Sequence, residues 1–418
     1  MTVFHSCRCR FIQLLLCASI AGFYSVNAAD IIVSMNGLSV SAAVKQAASY
    51  DRIIVRPGTH QAINVLIDKR LTIIGERGAI LDGLGKSQIL LIKADSVTLR
   101  GLEFRRSSVS YVDDNAAVKA MGISGLRVEN CTFNENFFGV YLAKSTGCMV
   151  RNCTFKAMGT LESASGNGIH QWHCRNSLIE NNVVDGHRDG IYLEFSRHAV
   201  IRGNSSKNNL RYGLHFMFSD SCAYRNNAFE QNGAGVAVMY SHVIEMTGNT
   251  FSRNWGSAAY GLLLKDITDG RIESNIFEQN TIGLYADGCN RNTVEHNTFT
   301  RNGWGVKIYA NSLQNSFSGN NFLSNTFAVA TNSSSQQSNT FEGNFWSDYS
   351  GYDLNRDGVG DVPHHPVRLF TLLIEQQPTS LILLRSLFID LLDLAEKAMP
   401  ALTPETLADK RPKMKPFP

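Results

Sequence analysis

Apolar positions along most of this chain follow neither the 3.6-residue period of a helix nor a long alternation; they recur as short phrases at a fixed spacing. The phrase Gly-apolar-X-apolar appears as GVYL at Gly139, GIHQ at Gly168, GIYL at Gly190, GLHF at Gly213, GVAV at Gly235, GLLL at Gly261, GLYA at Gly283 and GVKI at Gly305. Successive copies lie 29, 22, 23, 22, 26, 22 and 22 residues apart. A second phrase, Asn-x-Phe or Asn-x-x-Phe, keeps step with it, from NCTF at Asn130 to NTF at Asn339. Two short strands per turn, separated by Asn and Gly, predict an all-β fold, a right-handed parallel β-helix with coils of about 22 residues. One such coil cannot bury its apolar side; stacking turns the Phe, Ile, Leu and Val columns into a continuous core. Asn suits the corners because it tolerates left-handed backbone angles and its amide can stack in ladders. The Leu-x-x-Leu-x-Leu frame of a leucine-rich repeat is absent, and the period is too short for a propeller blade.

The remainder of the chain divides around this solenoid, which is assigned to residues 29–345. Before it, Arg8 and Arg10 precede the apolar run Phe11–Phe23 and the small-residue stretch Val26-Asn27-Ala28, which predicts a signal peptide over 1–28 and an exported protein. Cys17 follows Leu16 where lipidation would want a small residue. The stretch LSVSAAVKQAA, Leu38 to Ala48, predicts an amphipathic helix capping the first coil. The two long steps mark insertions around Met158–Asn167 and Arg253–Ala259. Residues 346–377 form an Asp-rich connector, and 378–418 hold a long apolar stretch, Leu381–Met399, and the basic, Pro-containing ending KRPKMKPFP. Five charges within that stretch argue against a membrane span and for one amphipathic helix lying on a surface, followed by a tail that orders on a partner.

Composition narrows the chemistry. Of the net charge of +3, Arg8 and Arg10 belong to the leader and no acidic residue precedes Asp30, so the mature balance is +1 and predicts no nucleic-acid partner. Six cysteines remain after the leader, with no CxxC pair, which fits neither a zinc framework nor a disulfide scaffold. Cys131 and Cys153, equivalent in successive coils, predict a stacked pair of buried thiols.

Parallel stacking also predicts columns. In Gly-apolar-X-apolar-X both X positions face away from the core, with equivalent residues about 4.8 Å apart. One column reads Tyr141, His170, Tyr192, His215, Ala237, Leu263, Tyr285, Lys307; the other reads Ala143, Trp172, Glu194, Met217, Met239, Lys265, Asp287, Tyr309. His215, Met217, Met239, Glu194 and His170 thus form an outward patch, with His242 and Met246 further along the same coil. Thioether and imidazole together select copper, particularly Cu(I). The plainer alternative is that an insertion or a partner covers this face and the methionines are apolar contacts.

Two other clusters compete. DGHRDG sets Asp185, His187 and Asp189 beside Tyr192 and Glu194, with Arg188 and Arg211 nearby to meet a uronate carboxylate, a set suited to a polysaccharide epimerase or lyase. Asp/Gly corners are also what turns require. In DLNRDGVGD, Asp353, Asn355, Asp357, the Val359 carbonyl and Asp361 match the first nine positions of a calcium loop, although His364 stands where the bidentate Glu belongs. A structural calcium ion and a turn held by Asx hydrogen bonds are the alternatives there.

An exported Asn-rich β-helix carrying FWSDYSGYDLNRDGVGDVPHHP and ending LLDLAEKAMPALTPETLADKRPKM closely resembles the NosD family, periplasmic maturation proteins of nitrous oxide reductase. The resemblance covers essentially the whole mature chain, and its C-terminal phrases are far more specific than the repeat. It implies a non-enzymatic role in assembling the copper-sulfur centre of that reductase. It also implies partners: an ABC transporter made of a permease and its ATPase, a copper chaperone lipoprotein, and the reductase. Membrane association would run through the permease, with the C-terminal helix and tail docked on it. The family motifs carry no catalytic residues over to this chain.

Overall fold

The computed structural model describes residues 28–110, 112–157, 161–256, 259–333, 338–399 and 406–418. The leader therefore lies, but for Ala28, outside the described residues, as do parts of both insertions. Parallel strands wind into a solenoid with three sheets. Sheet A has 14 strands, from Asp30–Val33 to Thr340–Glu342; sheet B has 13, from Gly58–Gln61 to Phe345–Trp346; sheet C has 12, from Val65–Ile67 to Phe327–Ala330. The expectation of two strands per turn is corrected to three. In LRVENCTF, Arg127–Glu129 lies in sheet A and Thr132–Asn134 in sheet B, with Asn130 turning the corner at φ 52°. Strands of three residues are too short to display their period of two.

The Gly of the repeat is likewise inside a strand of sheet C, as in Tyr212–Met217. A Cβ at Gly213 would stand 2.8 Å from the carbonyl oxygen of Gly235 and 3.0 Å from the Phe229 ring. Close approach of successive coils, not a turn, demands glycine there.

Asparagines divide two tasks at the corners. Asn181, Asn208 and Asn226 adopt φ of 52° to 55°, and each precedes a buried Asn: Asn182, Asn209 and Asn227. The buried side chains form ladders in which each Nδ2 donates to the Oδ1 of the next coil. One row runs Asn182, Asn204, Asn227, Asn249, Asn275, Asn297, Asn320 and Asn344 at 2.9–3.0 Å. Each Oδ1 from Asn204 onward also accepts a backbone N–H of the coil before it, so the buried corner amides are satisfied from within. Cys153 and Cys131 occupy this row one and two coils earlier as free buried thiols, and the Cys131 N–H reaches the Cys153 Sγ at 3.4 Å.

Inside sheet B, Phe104, Phe133 and Phe155 stack at 5.0 and 4.4 Å, and Phe229, Phe251, Phe277, Phe299, Phe322 and Trp346 stack at 4.2–5.6 Å. Between the two runs the column is filled by Val184 and Ser206. The polar interruption falls in the coils that carry the candidate site.

The solenoid is closed at both ends. Helix α1, Val40–Gln46, caps the first coil, its Ser39 Oγ accepting the Ala42 N–H at 3.2 Å. At the other end the apolar stretch is not the single helix expected. After α2, Leu369–Gln376, a 3-10 segment Pro378–Leu383 ends before Arg385, whose φ is 71°, and α3 runs Leu387–Ala398 behind Ser386. The break turns Leu384, Ile389 and Leu392 onto Phe327, Phe370 and Ile374 beside sheet C. Lys307 pairs with Glu375 at 2.8 Å beneath them.

The tail is also corrected: residues 406–418 are an ordered strap. Asp409 is fully buried and ends the asparagine ladder, accepting from Asn344 Nδ2 at 3.1 Å, Asn344 N at 2.9 Å, Gly343 N at 3.0 Å and Trp346 Nε1 at 3.0 Å. A carboxylate only accepts, so it can terminate a row in which every amide donates onward. Further along, Asn321 and Phe417 exchange two hydrogen bonds.

Candidate copper-binding face

The columns of sheet C follow the predicted register. His170 pairs with Tyr192, Tyr192 with His215, Trp172 with Glu194, Glu194 with Met217, and Met217 with Met239. Outward does not mean exposed, however. His215 is 4% exposed and Tyr192 8%. Aromatic rings do the covering: Tyr141, His170 and Tyr192 stack at 4.6 and 4.7 Å, while Tyr192 and Tyr212 sit 4.9 and 4.7 Å from the His215 ring. Met217 and Met239 stay half-buried at the rim, and the Tyr192 hydroxyl donates to Met217 Sδ at 3.7 Å.

Beside His215 lies a buried ion pair that composition did not announce. Asp189 is 0% exposed, and Arg211 grips it with both arms: Nε donates to Oδ1 at 2.8 Å and Nη2 to Oδ2. Burial pushes the Asp189 carboxyl up, but the hydrogen bonds from Arg211 and the proximity of His215 outweigh it and hold the group below its usual range. His215 Nδ1 is 3.6 Å from Asp189 Oδ2 and 3.4 Å from Arg211 Nη2. Its Nε2 is buried with no hydrogen-bond partner among the described residues. This nitrogen lies in the same pair of coils as two adjacent thioethers, and imidazole and thioether are together the residue types that favour Cu(I).

The other proposed ligands separate. Glu194 is the register neighbour of Met217 and is half-buried, so it lies on the same face. His170 is two coils from His215. Burial, then Arg188, pushes its pKa down to about 3, and Asn167 Nδ2 sits 3.0 Å from its Nδ1. His242 lies past the strand at a corner, exposed, with Nδ1 2.6 Å from Thr268 Oγ1. Met246 is corrected outright: it is 1% exposed in the inward column of sheet A, between Tyr224 and Ile272. The chain crosses from sheet C to sheet A before reaching it. Among the described residues, no group of three or more His, Cys, Asp or Glu side chains is arranged to hold a metal ion, so any site here depends on the thioethers.

Asp185, His187 and Asp189 do not converge as a catalytic set. Asp185 is the last residue of a sheet B strand and accepts from Asn208 Nδ2 at 2.9 Å. His187 is 1% exposed at the following corner with both ring nitrogens unpartnered among the described residues, and burial pushes its pKa down to about 4. Asp189 begins the sheet C strand and is committed to Arg211. In the Asp-rich loop the side chains proposed for calcium accept backbone N–H groups of the loop itself. Asp353 accepts the N–H groups of Asp357 and Gly358 at 3.1 and 2.9 Å, Asn355 accepts that of Asp357 at 3.1 Å, Asp357 that of Val359 at 2.8 Å, and Asp361 that of Leu354 at 2.7 Å. Asx hydrogen bonds build the turn, and Val359 bridges to Lys413 of the strap.

One feature escaped the columns. The residues that follow Trp172, Glu194, Met217 and Met239 are His173, Phe195, Phe218 and Tyr240, all at φ of 48° to 53°. They stack at 4.8, 5.1 and 5.0 Å along an exposed corner. The same corner carries Lys144 in the coil before and Asp266 in the coil after. Extending the column count by one residue would have revealed this aromatic edge.

Comparison with known proteins agrees with the fold. Residues 155–351 match the family model described as periplasmic copper-binding protein (NosD), and residues 48–170 match that of the right-handed beta helix region. Among solved structures, the catalytic domain of a GH87 alpha-1,3-glucanase superposes with a TM-score of 0.57 at 15% identity, covering 76% of this chain and 69% of that one. A mannuronic acid specific family 6 lyase from human gut microbiota gives 0.54 at 12%, covering 78% and 89%. At such identities the likeness is one of fold. A probable ABC transporter binding protein NosD of Stutzerimonas stutzeri is 28% identical over 368 residues, 84% of each chain. Its counterpart in Pseudomonas aeruginosa is 30% identical over 370 residues, 84% of this chain and 86% of that one. The chain therefore belongs to the NosD family.

Proposed function

We propose that this chain is a periplasmic, non-enzymatic accessory protein for assembly of the copper-sulfur centre of nitrous oxide reductase, with Cu(I) as its cargo. The observation that carries the reading is the buried Nε2 of His215, unpartnered among the described residues, on the strand that two residues later places Met217 in register with Met239. Family membership supports it, since the family is described as periplasmic and copper-binding. His215, Met217 and Met239 hold the ion, and Glu194 is the carboxylate nearest the rim.

Relatives named as ABC transporter binding proteins support a membrane-bound partner, a permease with its ATPase. A copper chaperone lipoprotein upstream and the reductase downstream complete the route. The face offered to the permease is α3, which leaves Leu387, Phe388, Leu391 and Leu394 exposed while Ile389 packs inward. No described helix is long and apolar enough to cross a membrane.

The test is maturation itself. In cells whose only copy carries Met217→Ala with Met239→Ala, the reductase is expected to accumulate without its copper while the variant is exported at normal levels. Normal copper content in the reductase would refute the assignment.

A further inference from the structure

Sheet A, which takes no part in the copper-binding face, carries a cleft of about 440 Å³. Three arginines, Arg70, Arg100 and Arg127, and two hydroxyl residues, Ser96 and Thr98, line it, and no acidic residue does. That imbalance is local. Of the arginines within the strands of sheet A, Arg52, Arg100, Arg151, Arg202, Arg225 and Arg271 each meet a carboxylate at 2.6–2.9 Å. Arg127, exposed in the strand Arg127–Glu129, meets none among the described residues. Its register neighbours are Thr98 and Met149, so the coils on either side bring no counter-charge. Arg70 stands over the Tyr50 ring at 4.9 Å, a contact that leaves its charge in place. Glu129 is 2% exposed and is shared between Arg100, whose Nε and Nη2 donate at 3.1 and 2.8 Å, and Arg151 at 2.9 Å, so one acid serves two bases. Asp95, next to Ser96 in the chain, accepts the Ser124 N–H at 2.7 Å.

Like charges gathered in a concave surface focus a positive potential there and repel one another until an anion joins them. The donors say which anion. Guanidinium forks match carboxylate and phosphate oxygens in pairs. Three of them with two hydroxyls offer more donors than the two oxygens of a carboxylate can take up, whereas a phosphate group brings three strong acceptor oxygens and close to two negative charges at neutral pH. The glycines leave it room: Gly125 and Gly147 line the same cleft, and a Cβ at Gly147 would meet nothing within 4 Å. We propose that this cleft binds a phosphate group, held by Arg127 and Arg70 with Arg100 at its edge. A soluble phosphate and the headgroup of a phospholipid offer the same chemistry, and each is given its own arm in the test. The site owes nothing to the Met/His face and stands or falls separately from the copper reading.

The first arm is calorimetric titration of the full exported chain with inorganic phosphate at constant ionic strength. Wild type is expected to bind at a single site, and Arg127→Ala to weaken binding roughly tenfold or more. Arg225→Ala removes the same charge from the same sheet outside the cleft and is expected to bind like wild type, which separates a site from bulk attraction. The second arm is flotation with phosphatidylcholine vesicles, with and without phosphatidic acid, using the same three proteins. Phosphate binding lost in Arg127→Ala and kept in Arg225→Ala supports the site with a soluble ligand. Capture by the phosphatidic acid vesicles alone, with that same pattern between the variants, supports the site with a lipid headgroup as the source. No binding in either arm overturns the proposal, as does equal weakening by Arg127→Ala and Arg225→Ala. Arg127 is exposed, so its truncation is expected to leave the melt unchanged; should the melt fall, Arg70→Ala carries the same expectation and the same refutation.

Discussion

Two clusters in this molecule carry metal-type donors, and they differ in whether those donors are free. In the Asp353–Asp361 loop, Asp353, Asn355, Asp357 and Asp361 all accept backbone N–H groups of the loop itself. On the Met/His face the nitrogen aimed away from Asp189 has no hydrogen-bond partner among the described residues. Ligand-like spacing is thus common to both, and only the hydrogen-bond accounting separates a turn from a site. Substitutions should therefore cost affinity on the face and stability in the loop.

The largest effect is expected on the face. Met217→Ala with Met239→Ala removes two of three soft donors, and Cu(I) affinity measured by anaerobic chelator competition should fall roughly a thousandfold or more. Thermal stability should change little, because both side chains are half-buried at the rim. A variant that unfolds instead would mean the methionines serve packing.

Next comes the strap, where every acceptor is in use. Asp409→Ala strips four donors, three of them buried, on Gly343, Asn344 and Trp346, of their acceptor. Chemical denaturation should report a loss of about 3 kcal/mol or more, with copper affinity unchanged.

How legible these regions were follows from the length of their signals. The coil repeat spans some eight copies, so the solenoid and the registers Glu194–Met217–Met239 could be counted from the sequence alone. Met246 was misplaced because counting along one coil hides the corner where the chain leaves sheet C for sheet A. The strap was missed because Asp409 is a single residue whose meaning depends on a ladder ending 65 residues earlier at Asn344. The Asp189–Arg211 pair was visible as two charges, but their burial was not, since the covering tyrosines come from separate coils.

Acidification gives a smaller, graded effect. Burial pushes His187 and His364 down to about 4, so both are neutral in the fold at neutral pH. In the unfolded chain they titrate near 6.5. Between those values the unfolded state binds more protons, so stability is lost as pH falls from 6.5 toward 4. Each contributes on the order of 1–2 kcal/mol at pH 5. His187→Asn, which places an asparagine at the head of the ladder through Asn209, should flatten the pH dependence of the melt. An unchanged slope would locate the acid sensitivity elsewhere.

The smallest effect tests the comparison from the loop side. Asp353→Ala leaves the N–H groups of Asp357 and Gly358 without their acceptor on an exposed turn, where water replaces part of what is lost, so about 1 kcal/mol is expected. Millimolar calcium should move the wild-type melt by less than about 1 °C, because an ion binding only the folded state stabilises in proportion to the logarithm of its saturation. Five backbone hydrogen bonds to these oxygens already define the turn without an ion. A calcium-dependent rise of several degrees, abolished by Asp353→Ala, would show that the carboxylates can leave those amides at little cost. The distinction drawn between committed and free donors would then fail for this loop, while the unpartnered nitrogen of His215 would still mark the face.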